Sequence, residues 1–483
     1  MKIYLLNPPF RTNFNRPGRW QGGVGRGGTL DYPKWLAYAT GVLWEEFDVK
    51  LVDAPARKMD KESIIKDAEN FEPDLIVVDS NFSSLSNDIN VAASLKEHTG
   101  ASIVLVGPPA SQFPEQILHK YGVDIVARFE YDYTLKEIAE VLEDDNGFKG
   151  VKGISYKENG KIIHNPDREF TISEDLNNMP FVSKVYKEHL NIRDYFLSQS
   201  LYPEVQIFTG RGCPYKCAFC SWPVTLMGRE YRARSAENIA DEFEWIKENL
   251  PEVKEIFIED DTFTINKKLV REVCEEIKRR KIDVTWSCNA RADMDYETMK
   301  LMKEAGCRLL IVGYETGSDE ILKNIKKGVT TGQMKKFTKD AKKARLMIHG
   351  DFIIGLPGET KETANKTVEF IKELKPNILQ IAVATPIPGT GFYNWCKENE
   401  FLLTDDLEES LDNWGAQKCI ISYPEFTKED IENYVDKALR EYYLSLSYIP
   451  IAMNNLLRKN GLHELKLMLR AATMFYKYLG RER

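Results

Sequence analysis

Short runs of β-branched and aliphatic residues alternate with stretches whose apolar positions recur every third or fourth residue, the pattern of parallel strands joined by helices. It predicts strands at Lys2–Leu6, Val49–Asp53, Leu75–Asp79, Ile103–Val106 and Ile125–Ala127. Helices are predicted near Pro33–Glu46, Lys61–Asn70, Ile89–Glu97, Pro114–Lys120 and Thr134–Glu143. Such a series makes a Rossmann- or flavodoxin-like α/β domain, whose ligands sit beyond the carboxyl ends of the strands. The pattern then breaks, and Gly153–Tyr156 with Lys161–Ile163 predicts a small hairpin inside a linker.

A second series begins at Val205, with strands predicted at Val205–Thr209, Glu255–Glu259, Val284–Ser287, Leu309–Gly313, Ile348–Ile354 and Ile378–Ala384. Its helices are expected at Ala236–Asn249, Lys268–Lys281, Tyr296–Ala305, Asp319–Asn324, Gln333–Ala344 and Glu362–Leu374. Six βα units form a partial (β/α)6 barrel that works at its strand ends. The expected organisation is a first domain over 1–146, a linker over 147–200, the partial barrel over 201–400 and a helical region over 401–483.

Composition narrows the function. A net charge of −8 argues against a broad nucleic-acid-binding surface. With no long apolar run, and with Met1-Lys2-Ile3 opening a strand rather than a signal peptide, a soluble cytoplasmic protein is expected. In that compartment eight cysteines suggest metal or catalytic use rather than disulfides. Cys274, Cys288, Cys307, Cys396 and Cys419 are scattered through strand- and helix-like segments and read as small buried hydrophobes.

Cys213, Cys217 and Cys220 are different: a C-x3-C-x2-C run directly after the first barrel strand. Thiolates suit iron–sulfur clusters, and three sulfurs on a four-iron cluster leave one iron open to a chelating substrate. The alternative, zinc, needs a fourth Cys or His, and none lies nearby.

The spacing and position resemble the radical SAM superfamily. That resemblance implies a [4Fe–4S] cluster on the three cysteines that cleaves S-adenosylmethionine to a 5′-deoxyadenosyl radical. It also implies Phe219 near the adenine, Asp260 and Asp261 at the methionine moiety, and Ser287, Asn289, Arg291 and Glu315 at the third and fourth strand ends. Ile353, in Gly350–Gly358, and Pro386, in Pro386–Thr390, match the fifth- and sixth-strand motifs. Cys288 and Tyr314 are candidate proton or hydrogen-atom donors near the strand ends. An electron donor such as flavodoxin or ferredoxin is implied as a partner.

The order of domains resembles the cobalamin-binding branch. It implies cofactor contacts at Asn7 and Pro8, at Ser80, Asn81 and Phe82, at Gly107, Pro108 and Pro109, and at Arg128 and Glu130. The Asp-x-His-x-x-Gly fingerprint is missing, and none of His98, His119, His164, His189, His349 and His463 follows the first strand. Cobalamin is therefore expected base-off, without a histidine ligand; a domain that binds nothing is the alternative. The glycine- and arginine-rich loop Thr12–Leu30 lacks a P-loop motif. Its Arg16, Arg19, Trp20 and Arg26 are candidates to close over a cofactor or grip an anionic substrate, against a plain mobile surface.

Leu456–Leu479 reads as an amphipathic helix, and from Met453 to Arg483 seven Lys/Arg stand against two Asp/Glu. Such a helix packs on the barrel or lies on the inner face of an anionic membrane. Gly18–Gln21 and Tyr32–Ala37 resemble enzymes of hopanoid and other membrane-lipid head-group modification, including calditol synthases. The functions compatible with these residues are methylation of an unactivated carbon in a small or lipid-linked substrate, radical cyclisation or ring contraction without methyl transfer, and a cobalamin- or redox-sensing protein. A tRNA methylthiotransferase is disfavoured, because the first domain has no second cysteine triad.

Overall fold

Leu75–Asp79 and Ser102–Val106 are apolar on both faces, which places them in the middle of a helix-covered sheet. In the computed structural model, which describes residues 1–18, 22–25, 27–144, 146–457, 465, 466, 469, 472 and 473, they do so. The chain divides into two units: Met1–Gly25, Thr29–Tyr195 and Ser221–Arg232 make the first, and Arg26–Gly28, Phe196–Cys220 and Ala233–Arg483 the second.

The first unit holds strands β1 (Lys2–Asn7), β2 (Asp48–Asp53), β3 (Leu75–Asp79), β4 (Ser102–Val106), β5 (Ile125–Ala127), β6 (Ile154–Glu158) and β7 (Lys161–His164). They lie in the order β2-β1-β3-β4-β5-β6-β7, the first five parallel. This is the flavodoxin-like order, with its topological switch between β1 and β3. Tyr4, Leu6, Ile76, Val78, Ile103 and Leu105 point to one face and build the core there with Ile64, Val91 and Leu95.

The predicted hairpin forms, but not within a linker. β6 pairs antiparallel with β5, and β7 with β6, so the hairpin extends the first sheet. Its apolar residues Ile154 and Tyr156 are buried, which gives the pairing its driving force. The helix Val182–His189 likewise belongs to this unit: a Cβ added at Gly41 would stand 3.3 Å from Val185, so the helices touch closely there.

The second unit has six parallel strands side by side in chain order: Glu204–Ile207, Glu255–Ile258, Trp286–Ala290, Cys307–Glu315, Met347–Ile354 and Ile378–Val383. The first and last do not pair, so the barrel is partial, as expected. Helices follow the strands, and Ser235, Asn266, Asp295, Thr330 and Thr360 start five of them by accepting a backbone N–H three residues on.

Register lines Phe257, Ser287, Leu309 and Met347 up on one face. Phe257, Leu309, Ile311, Met347 and Leu197 cluster there, forming the apolar floor of the inner face. Trp286 and Cys288 face the helices on the other side, with Phe243 edge-on to Trp286. The helix Lys428–Tyr443 closes the open edge of the last strand, where the Tyr443 hydroxyl accepts from the Leu379 N–H and donates to its carbonyl. The basic helix expected over Leu456–Leu479 lies almost wholly outside the described residues. Among those described, no helix is long and apolar enough to cross a membrane.

Candidate functional site

Cys213, Cys217 and Cys220 lie on the loop that leaves the first strand of the second sheet; Cys213 is buried, the other two half-buried, and all eight cysteines are thiols. The loop is held before its run and within it. Before it, Thr209 donates its N–H (2.6 Å) and hydroxyl (2.5 Å) to Asp260. In its middle, the Ala218 N–H donates to the Ile325 carbonyl at 2.9 Å, and the Ala218 carbonyl accepts from Phe392 at 2.8 Å. The second clamp comes from the sixth-strand turn, where Thr390 caps the helix Gly391–Glu398.

Charged side chains surround this loop. The Arg291 guanidinium lies 3.8 Å from the centre of the Tyr215 ring, donates to Asp293 at 2.9 Å, and also reaches the Lys327 carbonyl. Lys327, partly buried, is paired with the buried Glu315 at 2.5 Å. Burial pulls the Lys327 ammonium down, but the Glu315 carboxylate and the nearby Cys217 sulfur outweigh it, so the charged form is favoured. Among the described residues, Glu315 has its second oxygen buried and without a partner, and the Ser287 hydroxyl is in the same state. Buried polar atoms normally find partners, so the Glu315 oxygen suits a polar ligand at this end of the sheet and the Ser287 hydroxyl one on its inner face. Among the described residues no three Cys, His, Asp or Glu are placed to share one metal ion, the three thiols included.

Other residues singled out in the sequence fall around this end. Asn289 donates to the Asp260 carbonyl at 2.9 Å and Arg291 donates its backbone N–H to the Thr264 hydroxyl at 3.0 Å, so both brace the loops. Asp261 follows Asp260 at the mouth, and Phe219, Ile353 and Pro386 are buried. Asp260 is itself a brace for Thr209, and burial pushes it up to about 7. The suggested donors Cys288 and Tyr314 face the helices instead of the interior. Cys288 lies against Cys307, and the Tyr314 hydroxyl is 2.6 Å from Thr338 on the helix Thr331–Lys343. Strand alternation turns both away, because their neighbours Asn289 and Gly313 take the inner face. Lys327 was missed, since a lysine in a turn carries no sequence signal. Glu359 was missed too: it accepts the Gly355 and Leu356 N–H groups (2.5 and 3.2 Å), and burial pushes it up to about 8.

In the first unit, Arg16 proves to be a structural anchor. Its guanidinium is 1% exposed, pairs with Asp88 at 2.7 Å, and donates to the Asn7 side chain and the Pro8 carbonyl. Asn81 in turn donates to the Arg16 carbonyl at 3.0 Å. Asn7, Pro8 and Asn81 thus hold the glycine-rich loop at the β1–β3 switch, and Arg16 has no charge left over for a substrate. Arg19, Trp20 and Arg26 lie outside the described residues.

Arg128 and Glu130 are committed to the protein as well. Arg128 donates to Asp167, Ser155 and the Asn165 carbonyl, and Glu130 takes both Arg232 nitrogens at 2.9 and 3.0 Å. Gly107 is different. With φ of +104°, a Cβ there would stand 2.4 Å from the Ser80 carbonyl oxygen, so the loops after β3 and β4 touch backbone to backbone. Ser80, Phe82, Pro108 and Pro109 flank this close approach. Nearby Asp79 is pushed up to about 7 by burial. His98, His119, His164 and His189 all lie away from these strand ends, on helices or the β7 end.

Comparison with known proteins agrees with this layout. Residues 207–371 match the Radical SAM superfamily profile, and residues 26–139 match the B12 binding domain. An uncharacterized methyltransferase of Pyrococcus horikoshii is 32% identical, over 92% of this chain and 93% of that protein. The anaerobic magnesium-protoporphyrin IX monomethyl ester cyclase of Cereibacter sphaeroides is 26% identical, over 79% of this chain and 63% of that enzyme. The structure of the radical S-adenosylmethionine methyltransferase TsrM from Kitasatospora setae, with cobalamin and a [4Fe–4S] cluster bound, superposes with a TM-score of 0.71 at 16% identity, covering 98% of this chain and 99% of that one.

Proposed function

The chain belongs to the cobalamin-dependent radical SAM family, and from that premise we propose that it transfers a methyl group to an unactivated carbon of a small-molecule substrate. The observation behind this reading is the alignment with the Pyrococcus methyltransferase, which runs nearly end to end on both proteins, whereas the cyclase match leaves a large part of that enzyme uncovered. When bound, the cluster and S-adenosylmethionine supply an adenosyl radical, and cobalamin supplies a methyl carrier.

The chain's own residues prepare for these groups. Cys213, Cys217 and Cys220 hold the cluster, and Asp260, Ile325 and Phe392 fix their loop. Glu315 and Ser287 offer unpartnered oxygens to the polar groups of S-adenosylmethionine, and Phe219, Ile353 and Pro386 offer apolar surface to its adenine. Ser80, Phe82, Gly107, Pro108 and Pro109 cradle cobalamin. A flavodoxin or ferredoxin delivers the electron.

Radical ring formation without methyl transfer is the second reading, favoured by the likeness to the cyclase. Turnover with methyl-labelled S-adenosylmethionine decides between them. Label in the product supports methyl transfer; a cyclised product without label rejects it.

A further inference from the structure

The inner face of the second sheet carries a pair that the site described above does not use. His349 and Asp351 stand two residues apart on the strand Met347–Ile354, so both point to one face. It is the face of the apolar floor, because register sets Met347 beside Leu309 and His349 beside Ile311. His349 is 3% exposed. Its Nε2 lies 3.3 Å from Oδ1 of Asp351, yet among the described residues neither ring nitrogen has a hydrogen-bond partner. Leaving a buried polar group unsatisfied costs about 1–3 kcal/mol. A valine or leucine would continue the floor without that cost. Four residues separate it from Ile353, roughly 13 Å along a strand at about 3.3 Å per residue.

We infer that His349 and Asp351 bind the substrate itself, holding a hydroxyl or amine of a neutral or cationic molecule on the inner face of the partial barrel. The inference rests on the enzymatic reading above and names the class of molecule it acts on. Burial draws His349 down to about 4, so the neutral ring offers one acceptor and one donor nitrogen. The Asp351 carboxylate adds acceptors and a negative charge. Arg308, the cation beside Met347, is already paired with Glu255 at 2.8 Å, so an anionic group finds no counter-charge from it. A phosphate or carboxylate is thereby disfavoured in favour of a donor group.

The test uses the full-length protein reconstituted with cluster and hydroxocobalamin, without reductant, and labelled with 15N in its histidines. The His349 imidazole signal is assigned with His349→Gln, or His349→Asn if the first variant does not fold. Ethanolamine, 1,2-propanediol and inorganic phosphate are then titrated separately. The expected result is a saturable shift with ethanolamine and with propanediol, none with phosphate, and loss of the ethanolamine response in Asp351→Asn. A response to phosphate, or none to either donor, overturns the inference. Because nothing turns over, its failure leaves methyl transfer standing, and unlabelled product in the turnover assay leaves this binding result standing.

Discussion

Thr209 hangs from Asp260 by two bonds, its backbone N–H and its hydroxyl both ending on one buried carboxyl group at 2.6 and 2.5 Å. The end of the second strand thereby fixes the residue from which the cysteine loop departs. Asp260→Asn keeps an acceptor for the N–H and a group that can bond the hydroxyl, whereas Asp260→Ala leaves two donors buried without a partner. The alanine variant is expected to lose most of its bound iron and visible cluster absorbance, and the asparagine variant to keep most of both. Equal iron content in the two would refute this role.

Cys217→Ala removes one of three proposed cluster ligands. Cluster absorbance and 5′-deoxyadenosine formation should both disappear, while the circular dichroism of the protein stays unchanged. Retention of either signal would overturn the assignment of the site.

Arg16 and Asp88 form an ion pair with side chains 1% and 0% exposed. Removing one partner of such a pair leaves a buried charge and costs about 3–5 kcal/mol. Arg16→Ala should lower the urea midpoint by that order, and Arg16→Ala/Asp88→Ala should recover part of the loss. A substrate-gripping arginine would instead leave stability unchanged.

At Gly107 an added methyl group would collide with the Ser80 carbonyl oxygen, on backbone already in the left-handed half of conformational space. Gly107→Ala should push the β3 and β4 loops apart and abolish co-elution of hydroxocobalamin, with iron binding in the second unit retained. Undiminished cobalamin uptake would place the cofactor elsewhere.

Burial raises Asp53 to about 6, Asp79 and Asp260 to about 7, and Glu359 to about 8, from ordinary values of 3.8 for the aspartates and 4.5 for the glutamate. Between the ordinary and the raised value, the folded state keeps a proton that the unfolded state releases. Stability therefore falls as pH rises through that window, by at most about 1.4 kcal/mol per carboxyl per pH unit. His349, lowered to about 4 from 6.5, acts oppositely below pH 6.5. The melting temperature of the protein without its cofactors should thus fall most steeply between about pH 4.5 and 7 and more gently from 7 to 8, and Glu359→Gln should flatten that upper part. A melting temperature that rises over this range would contradict the burial of these groups.

The strands and the cysteine triad were legible because they rest on local signals: apolar runs, helix periodicity and the spacing of thiols. Lys2–Asn7 and Met347–Ile354 differ from their predicted bounds by a residue at one end. Side-chain partnerships were not legible. Arg16 looks like a surface arginine in a glycine-rich loop until Asp88, far along the chain, is seen to meet it. Arg128 and Glu130 sit where a ligand would be expected, yet Asp167 and Arg232 take them. The hairpin read as a linker because pairing of Ile154 beside Ala127 depends on an edge that only the folded sheet presents. His349 drew notice only as a missing cobalt ligand, because strand parity had to be settled before its direction meant anything.

The two hydrogen bonds on Ala218 bear on how the protein matures. Both partners, Ile325 and Phe392, are made long after the cysteines they position. A nascent chain that has emerged only through Cys220 carries all three thiols but not the frame that shapes them. Iron and sulfide delivered then would meet a floppy tripeptide-like chelator, open to wrong metals and to oxidation. A protein truncated before Phe392 is therefore expected to be harder to charge than the full chain, even though every cysteine is present.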